Sequence, residues 1–76
     1  MTRFYFDVRD DFYSADDNVG SDLAGVETAR REAVRLVTSI ATDVFNANGS
    51  GVTVKVRDDD RALFEVSVSL SCRDFC

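Results

Sequence analysis

The chain has 76 residues, 45% of them hydrophobic and 30% charged, which describes one small globular domain, residues 1–76, too apolar for a disordered tail. Fourteen acidic residues against nine basic ones give a net charge of −5, and neither histidine nor tryptophan is present. These counts exclude imidazole acid–base chemistry and imidazole metal ligation, and they argue against a protein whose main work is gripping phosphate backbones.

Phe4, Phe6 and Val8 alternate with Tyr5, Asp7 and Arg9, the period of a half-buried strand. Asp10-Asp11 offers a turn, residues 12–15 can return as a second, shorter strand, and the polar, glycine-terminated stretch 16–20 reads as a loop. From Val26 the period changes. Val26, Ala29, Ala33, Leu36 or Val37, Ile40 and Val44 recur at steps of three and four, predicting an amphipathic helix from residue 26 to about 45. Gly25 stands at its N-cap, Glu27 precedes Arg31 at ion-pair spacing, and residues 46–51, with two glycines, end it.

Val52, Val54 and Val56 then alternate with Thr53, Lys55 and Arg57, and Asp58-Asp59-Asp60 makes a charged turn. Phe64, Val66, Val68 and Leu70 alternate with Leu63, Glu65, Ser67 and Ser69, the longest strand signal in the chain. The order is ββαββ, an α+β domain with a four-stranded, mostly antiparallel sheet and one helix packed on one face. The strand order expected is second, first, third, fourth, which leaves the second and third strands parallel around a right-handed crossover. The helix should cover Phe4, Phe6, Val8, Val54, Val56, Phe64, Val66 and Val68. The uncovered face should present Tyr5, Asp7, Arg9, Lys55, Arg57, Leu63 and Glu65.

Several segments look familiar together: residues 3–10 (RFYFDVRD), the acidic loop ending in Gly20, then Leu23, Val26-Glu27, Ala29-Arg30 and Glu32-Ala33, and in the second hairpin Val54-Lys55-Val56-Arg57-Asp58, Leu63 and Val66-Ser67-Val68. Over nearly its whole length the chain resembles a family of small bacterial proteins, common in rhizobia and their relatives, known as domain of unknown function 6894. Members often carry histidine where this chain has Asp7. The resemblance implies a stand-alone α+β domain in an alphaproteobacterial cytoplasm and brings no activity with it.

Five candidate chemistries follow from the residues. Asp16, Asn18, Asp22 and Glu27 echo the spacing of a calcium loop, but Ser21 stands where such a loop requires glycine, and no helix precedes it. The paired carboxylates Asp10-Asp11, Asp16-Asp17 and Asp58-Asp59-Asp60 sit in turn-like runs that water would keep ionised, and no Ser, Cys or Lys nucleophile has a base beside it. Cys72 and Cys76 lie four apart in a tail (71–76) expected to be loose, where free thiols are the ordinary reading. No catalytic, cofactor-binding or metal site is therefore assigned, and no small-molecule ligand has a signature.

Arg30, Arg31 and Arg35 on the helix, with Arg9, Lys55 and Arg57 on the open sheet face, could serve a nucleic-acid-associated, antitoxin-like regulatory domain, a reading the acidic net charge disfavours. The leading expectation is a non-enzymatic protein-interaction or self-associating module, with Tyr5 and Leu63 as the apolar centre of a homodimer face and the charges around them as its rim. The N-terminus reads as no signal peptide, and no apolar run approaches the ~20 residues that cross a bilayer, so the expected compartment is the cytoplasm and no membrane is involved.

Overall fold

A computed structural model describes residues 1–75; Cys76, and with it any pairing of Cys72 with Cys76, lies outside the described residues. Its elements in chain order are β1 (Thr2–Asp10), β2 (Ser14–Ala15), β3 (Ser21–Leu23), α1 (Val26–Asn46), β4 (Gly51–Arg57) and β5 (Ala62–Ser69). The sheet runs β2-β1-β4-β5, with β3 also paired to β1, and every pairing is antiparallel. The second, first, third, fourth order expected from the sequence is the one observed, on an α+β frame of one helix against one sheet.

The strand count is five where the sequence suggested four. The returning strand after the first turn is split: β2 pairs with Val8 and Arg9, and β3 pairs with residues 2–4. Between them residues 16–20 loop past residues 5–7, five residues opposite three, so pairing cannot continue. Phe12 and Tyr13, expected in this strand, belong to the turn instead. Ser21–Leu23 escaped notice because three residues with Asp22 at their centre carry no apolar alternation.

The two hairpin turns share one construction. Asp10 Oδ1 accepts the N–H groups of Phe12 (2.7 Å) and Tyr13 (2.8 Å), while the N–H of Asp10 donates to the Tyr13 carbonyl. Asp58 Oδ1 accepts those of Asp60 (2.8 Å) and Arg61 (2.9 Å), and its N–H donates to the Arg61 carbonyl. A short carboxylate that mimics a backbone turn is the reason aspartate opens both.

Helix α1 buries Ala29, Ala33, Val37, Ala41 and Val44, with Leu36, Ile40 and Phe45 half-buried beside them. Three alanines on the buried stripe let the helix backbone lie close to the sheet. Val26, counted with that stripe from its spacing, is 44% exposed at the helix start. Glu27 meets Arg30 at 3.8 Å, not Arg31, and the first turn takes its capping bond through the Gly25 carbonyl. At the other end the N–H of Gly49 reaches the Val44 carbonyl and that of Asn48 reaches Phe45, with Asn48 in the left-handed region at φ 68°. This is a Schellman ending in which asparagine takes the place glycine usually holds.

The core is Phe4 and Phe6 of β1, Val52, Val54 and Val56 of β4, and the alanine–valine stripe of α1. Val8, Phe64, Val66 and Val68 point the expected way but are only half-buried; the helix lies across β4, and β5 is the last strand of the sheet, with no neighbour on its far side.

Candidate interaction surfaces

The face away from the helix is polar, and the register arranges its side chains in cross-strand rows. Tyr5 stands opposite Arg57, Asp7 opposite Lys55, and Lys55 opposite Glu65, so the middle row reads minus, plus, minus. The next row sets Arg9 beside Thr53 and Ser67, whose hydroxyls hydrogen-bond at 2.8 Å. A shallow depression of about 120 Å³ opens along these rows, lined by Asp7, Val8, Arg9, Ser14, Asp16, Thr53, Lys55 and Glu65. Four of the seven residues expected on this face, Asp7, Arg9, Lys55 and Glu65, thus meet at one depression.

Leu63 does not join them. Between Arg57 and Val56 the register of β5 slips by one: Arg57 pairs with Ala62 and Val56 with Phe64. Leu63 is the extra residue of a β-bulge, which places it with Phe64 opposite Val56 and packs its side chain against the core. The apolar centre expected at Tyr5 and Leu63 therefore loses one of its two members.

Tyr5 is engaged within the chain. The Arg57 guanidinium lies 4.6 Å from its ring centroid, and its hydroxyl donates to Asp59 Oδ1 at 2.9 Å; the acceptor carboxylate is the first cause of a phenol pKa above the ordinary value. Arg57 Nε donates to Asp7 Oδ2 at 2.8 Å, and its Nη2 donates to the Asp17 carbonyl at 2.8 Å. Burial alone would raise the Asp7 carboxyl. The Arg57 hydrogen bond, the N–H of Asp17 and the nearby charges of Arg57 and Lys55 outweigh it and hold the group below the usual aspartate range.

Asp17 was missed as a key residue. Its Oδ1 accepts the N–H groups of Val19 (3.0 Å) and Gly20 (2.9 Å), its Oδ2 that of Phe6 (3.2 Å), and its own N–H donates to Asp7. Burial raises its carboxyl too, and these N–H donors with Arg57 bring the net shift down. Aspartate three before a glycine was the available signal.

The acidic runs are thus distributed among structural tasks. Asp10 and Asp58 build turns, Asp11 ties the first turn to the N–H groups of Ser50 and Gly51, Asp17 fills the gap along β1, and Asp59 holds Tyr5. In the stretch with calcium-loop spacing, Asp22 pairs with Arg3 at 3.1 Å, and Glu27 faces Arg30. Arg35 pairs with Glu32, and Arg30 lies 4.9 Å over the Phe64 ring, so two of the three helix arginines already have partners within the chain. Cys72 is exposed, in a C-terminal stretch without regular structure, and has no disulfide partner among the described residues.

The two edges of the sheet differ. One edge is made of β2 and β3, two and three residues long, interrupted by a loop and carrying Asp16, Asp17 and Asp22. The other is β5, eight continuous residues with Glu65 as its one charged side chain. The N–H of Leu70 donates to the Ser50 carbonyl, so by antiparallel alternation Phe64, Val66 and Val68 turn their backbone groups toward β4, and Glu65 and Ser67 turn theirs outward.

Among the described residues no helix is long and apolar enough to cross a membrane. No curated protein and no solved structure gives a significant match to the chain. One protein family does match, over residues 3–69, a span that takes in all six elements apart from the first residue of β1. By that match, the chain belongs to the family described as Domain of unknown function (DUF6894).

Proposed function

We propose that this domain is a non-enzymatic protein-interaction module of the bacterial cytoplasm, and that it joins its partner by strand addition along the free edge of β5. The observation that carries this reading is the unequal protection of the two edges. Natural sheets blunt their edges with short strands, charges, prolines or bulges, and the β2–β3 edge has two of these devices, short strands and charges. Beyond the bulge at Leu63, β5 has none of them from Phe64 to Ser69 except Glu65. An added strand would find outward N–H and C=O groups at Glu65 and Ser67 and, on the helix side, half-buried Phe64, Val66 and Val68 to cover.

The reading replaces the Tyr5–Leu63 face with the β5 edge, because Leu63 packs inward and Tyr5 is held by Arg57 and Asp59. The alternative of a nucleic-acid-associated domain draws less support, since Arg3, Arg30, Arg35 and Arg57 are all ion-paired within the chain. The test uses Ser67→Pro, which removes one outward N–H and leaves the β4-facing ladder untouched. With native circular dichroism retained, the variant should lose the partners or self-association that the parent shows. Equal retention by parent and variant would refute strand addition at β5. Glu65→Pro, which removes the other outward N–H, supplies the same comparison if Ser67→Pro does not fold.

A further inference from the structure

We infer that the strand added at β5 is β5 of a second copy, paired antiparallel about a two-fold axis at Val66; this rests on the strand-addition reading above. The β5 edge is self-complementary in that register. Val66 faces its own copy, Phe64 faces Val68, and Glu65 faces Ser67, so core-side residues meet core-side residues and the single charge meets a hydroxyl. Glu65 and Ser67, whose backbone groups point outward, become the hydrogen-bonded pair, and Val66 on the axis becomes a non-bonded pair with close side chains.

Neighbouring registers are worse for stated reasons. A shift of two residues one way opposes Glu65 to Glu65 of the partner copy, which like charges disfavour. The same shift the other way sends Phe64 against Leu70, past the end of β5. Any odd shift sets core-side residues against outer-side ones.

The second copy also covers what the helix leaves open. Arg30 lies over the Phe64 ring, and Val34, one turn later on the same side of α1, is 47% exposed. Leu70, just beyond the strand, is 49% exposed. With Phe64, Val66 and Val68 these residues form an apolar margin along the edge, and the two-fold operation lays one margin against the other. The product is a continuous sheet, β1-β4-β5 of one chain followed by β5-β4-β1 of its partner, with both helices on one face.

The experiment uses the full chain with Cys72 and Cys76 replaced by serine. Val66→Cys should form an intermolecular disulfide under mild oxidation, because the two axial residues come within bridging distance. Ser69→Cys should not, because it lies six residues along the partner strand from its own copy. Sedimentation then reads the charge. Ser67→Glu, which opposes Glu65 of the partner, should weaken dimerisation about tenfold, and Ser67→Lys should strengthen it. Both variants lose the Thr53 hydroxyl bond equally, so a merely structural effect would move them in the same direction.

Cross-linking at Ser69, or equal effects of Glu and Lys at Ser67, would overturn the register. A parent that stays monomeric at high micromolar concentration overturns self-pairing. If that monomer still retains a protein that Ser67→Pro loses, strand addition stands with a different partner; if it retains none, both readings fail.

Discussion

Asp17 Oδ2 accepts the backbone N–H of Phe6 at 3.2 Å, at the stretch of β1 where neither β2 nor β3 supplies a strand partner. Phe6 is 9% exposed, so its N–H would otherwise be an unpaired donor beside the core. The carboxylate stands in for a missing carbonyl, and the loop that carries it is pinned in return by the N–H of Asp17 on Asp7. One side chain thereby joins a break in the sheet to the polar face.

Asp17→Ala should for that reason destabilise the domain by about 1–3 kcal/mol, since it strands a backbone donor as well as removing bonds within the loop. In a domain of this size that is a fall in Tm of roughly 5–20 °C. Thermal denaturation followed by circular dichroism measures it. An unchanged Tm would mean that water serves Phe6 equally well.

The pH dependence follows from the same pair of carboxylates. Asp7 and Asp17 both titrate below their ordinary value when folded. A group with a depressed folded pKa contributes stability that is complete above its unfolded value, about 3.9, and is lost as the pH falls through the folded value. Stability should hold from neutral pH down to about pH 5 and fall steeply below pH 4. Asp7→Asn should be less stable than the parent at pH 7 and converge toward it in acid. A gap between the two that stays constant from pH 7 to pH 2 would show that the Asp7–Arg57 pair contributes nothing through its charge.

The alternation of Phe4 and Phe6, and of Val54 and Val56, was legible in the sequence because each lies in a strand whose period-two pattern meets no interruption. The helix was legible for a similar reason, and only Val26 was misplaced, at an end where the helix passes the sheet. Leu63 was not legible. A bulge inserts one residue into the count, and counting by twos carries every position before it to the wrong face. Asp17 and Ser21–Leu23 were hidden because their roles depend on β1 lying alongside, a long-range fact that local polarity does not carry. The free edge of β5 likewise depends on which strands end the sheet.

Gly20 and Gly25 separate two kinds of glycine. Gly20 has φ +78°, and a Cβ there would lie 2.8 Å from Arg3 Cγ and 2.9 Å from Tyr5 Cε1. Gly20→Ala should cost at least about 1–2 kcal/mol for the left-handed backbone alone, with more as Arg3 and Tyr5 are displaced. Gly25 sits in extended backbone with open space around it, and Gly25→Ala should stay within about 0.5 kcal/mol of the parent. Parallel urea denaturations compare them, and equal midpoints would contradict the loop geometry.

Leu63 and Glu65 are two residues apart in β5, yet the bulge sends one toward the core and leaves the other exposed. Leu63→Arg forces a guanidinium into the packing beside Phe64 and Val56, so it should lower Tm by roughly 10 °C or more, by the loss of a half-buried leucine and the burial of a charge. Leu63→Ala should cost about 1–2 kcal/mol, less than a fully buried leucine because part of the side chain already meets water. Glu65→Arg should leave Tm within a few degrees, since it exchanges one exposed charge for another and gives up only its place beside Lys55. Had the strand kept a strict alternation, Leu63→Arg would be as mild as Glu65→Arg. Equal melting temperatures for these two variants would therefore remove the bulge and return Leu63 to the open face.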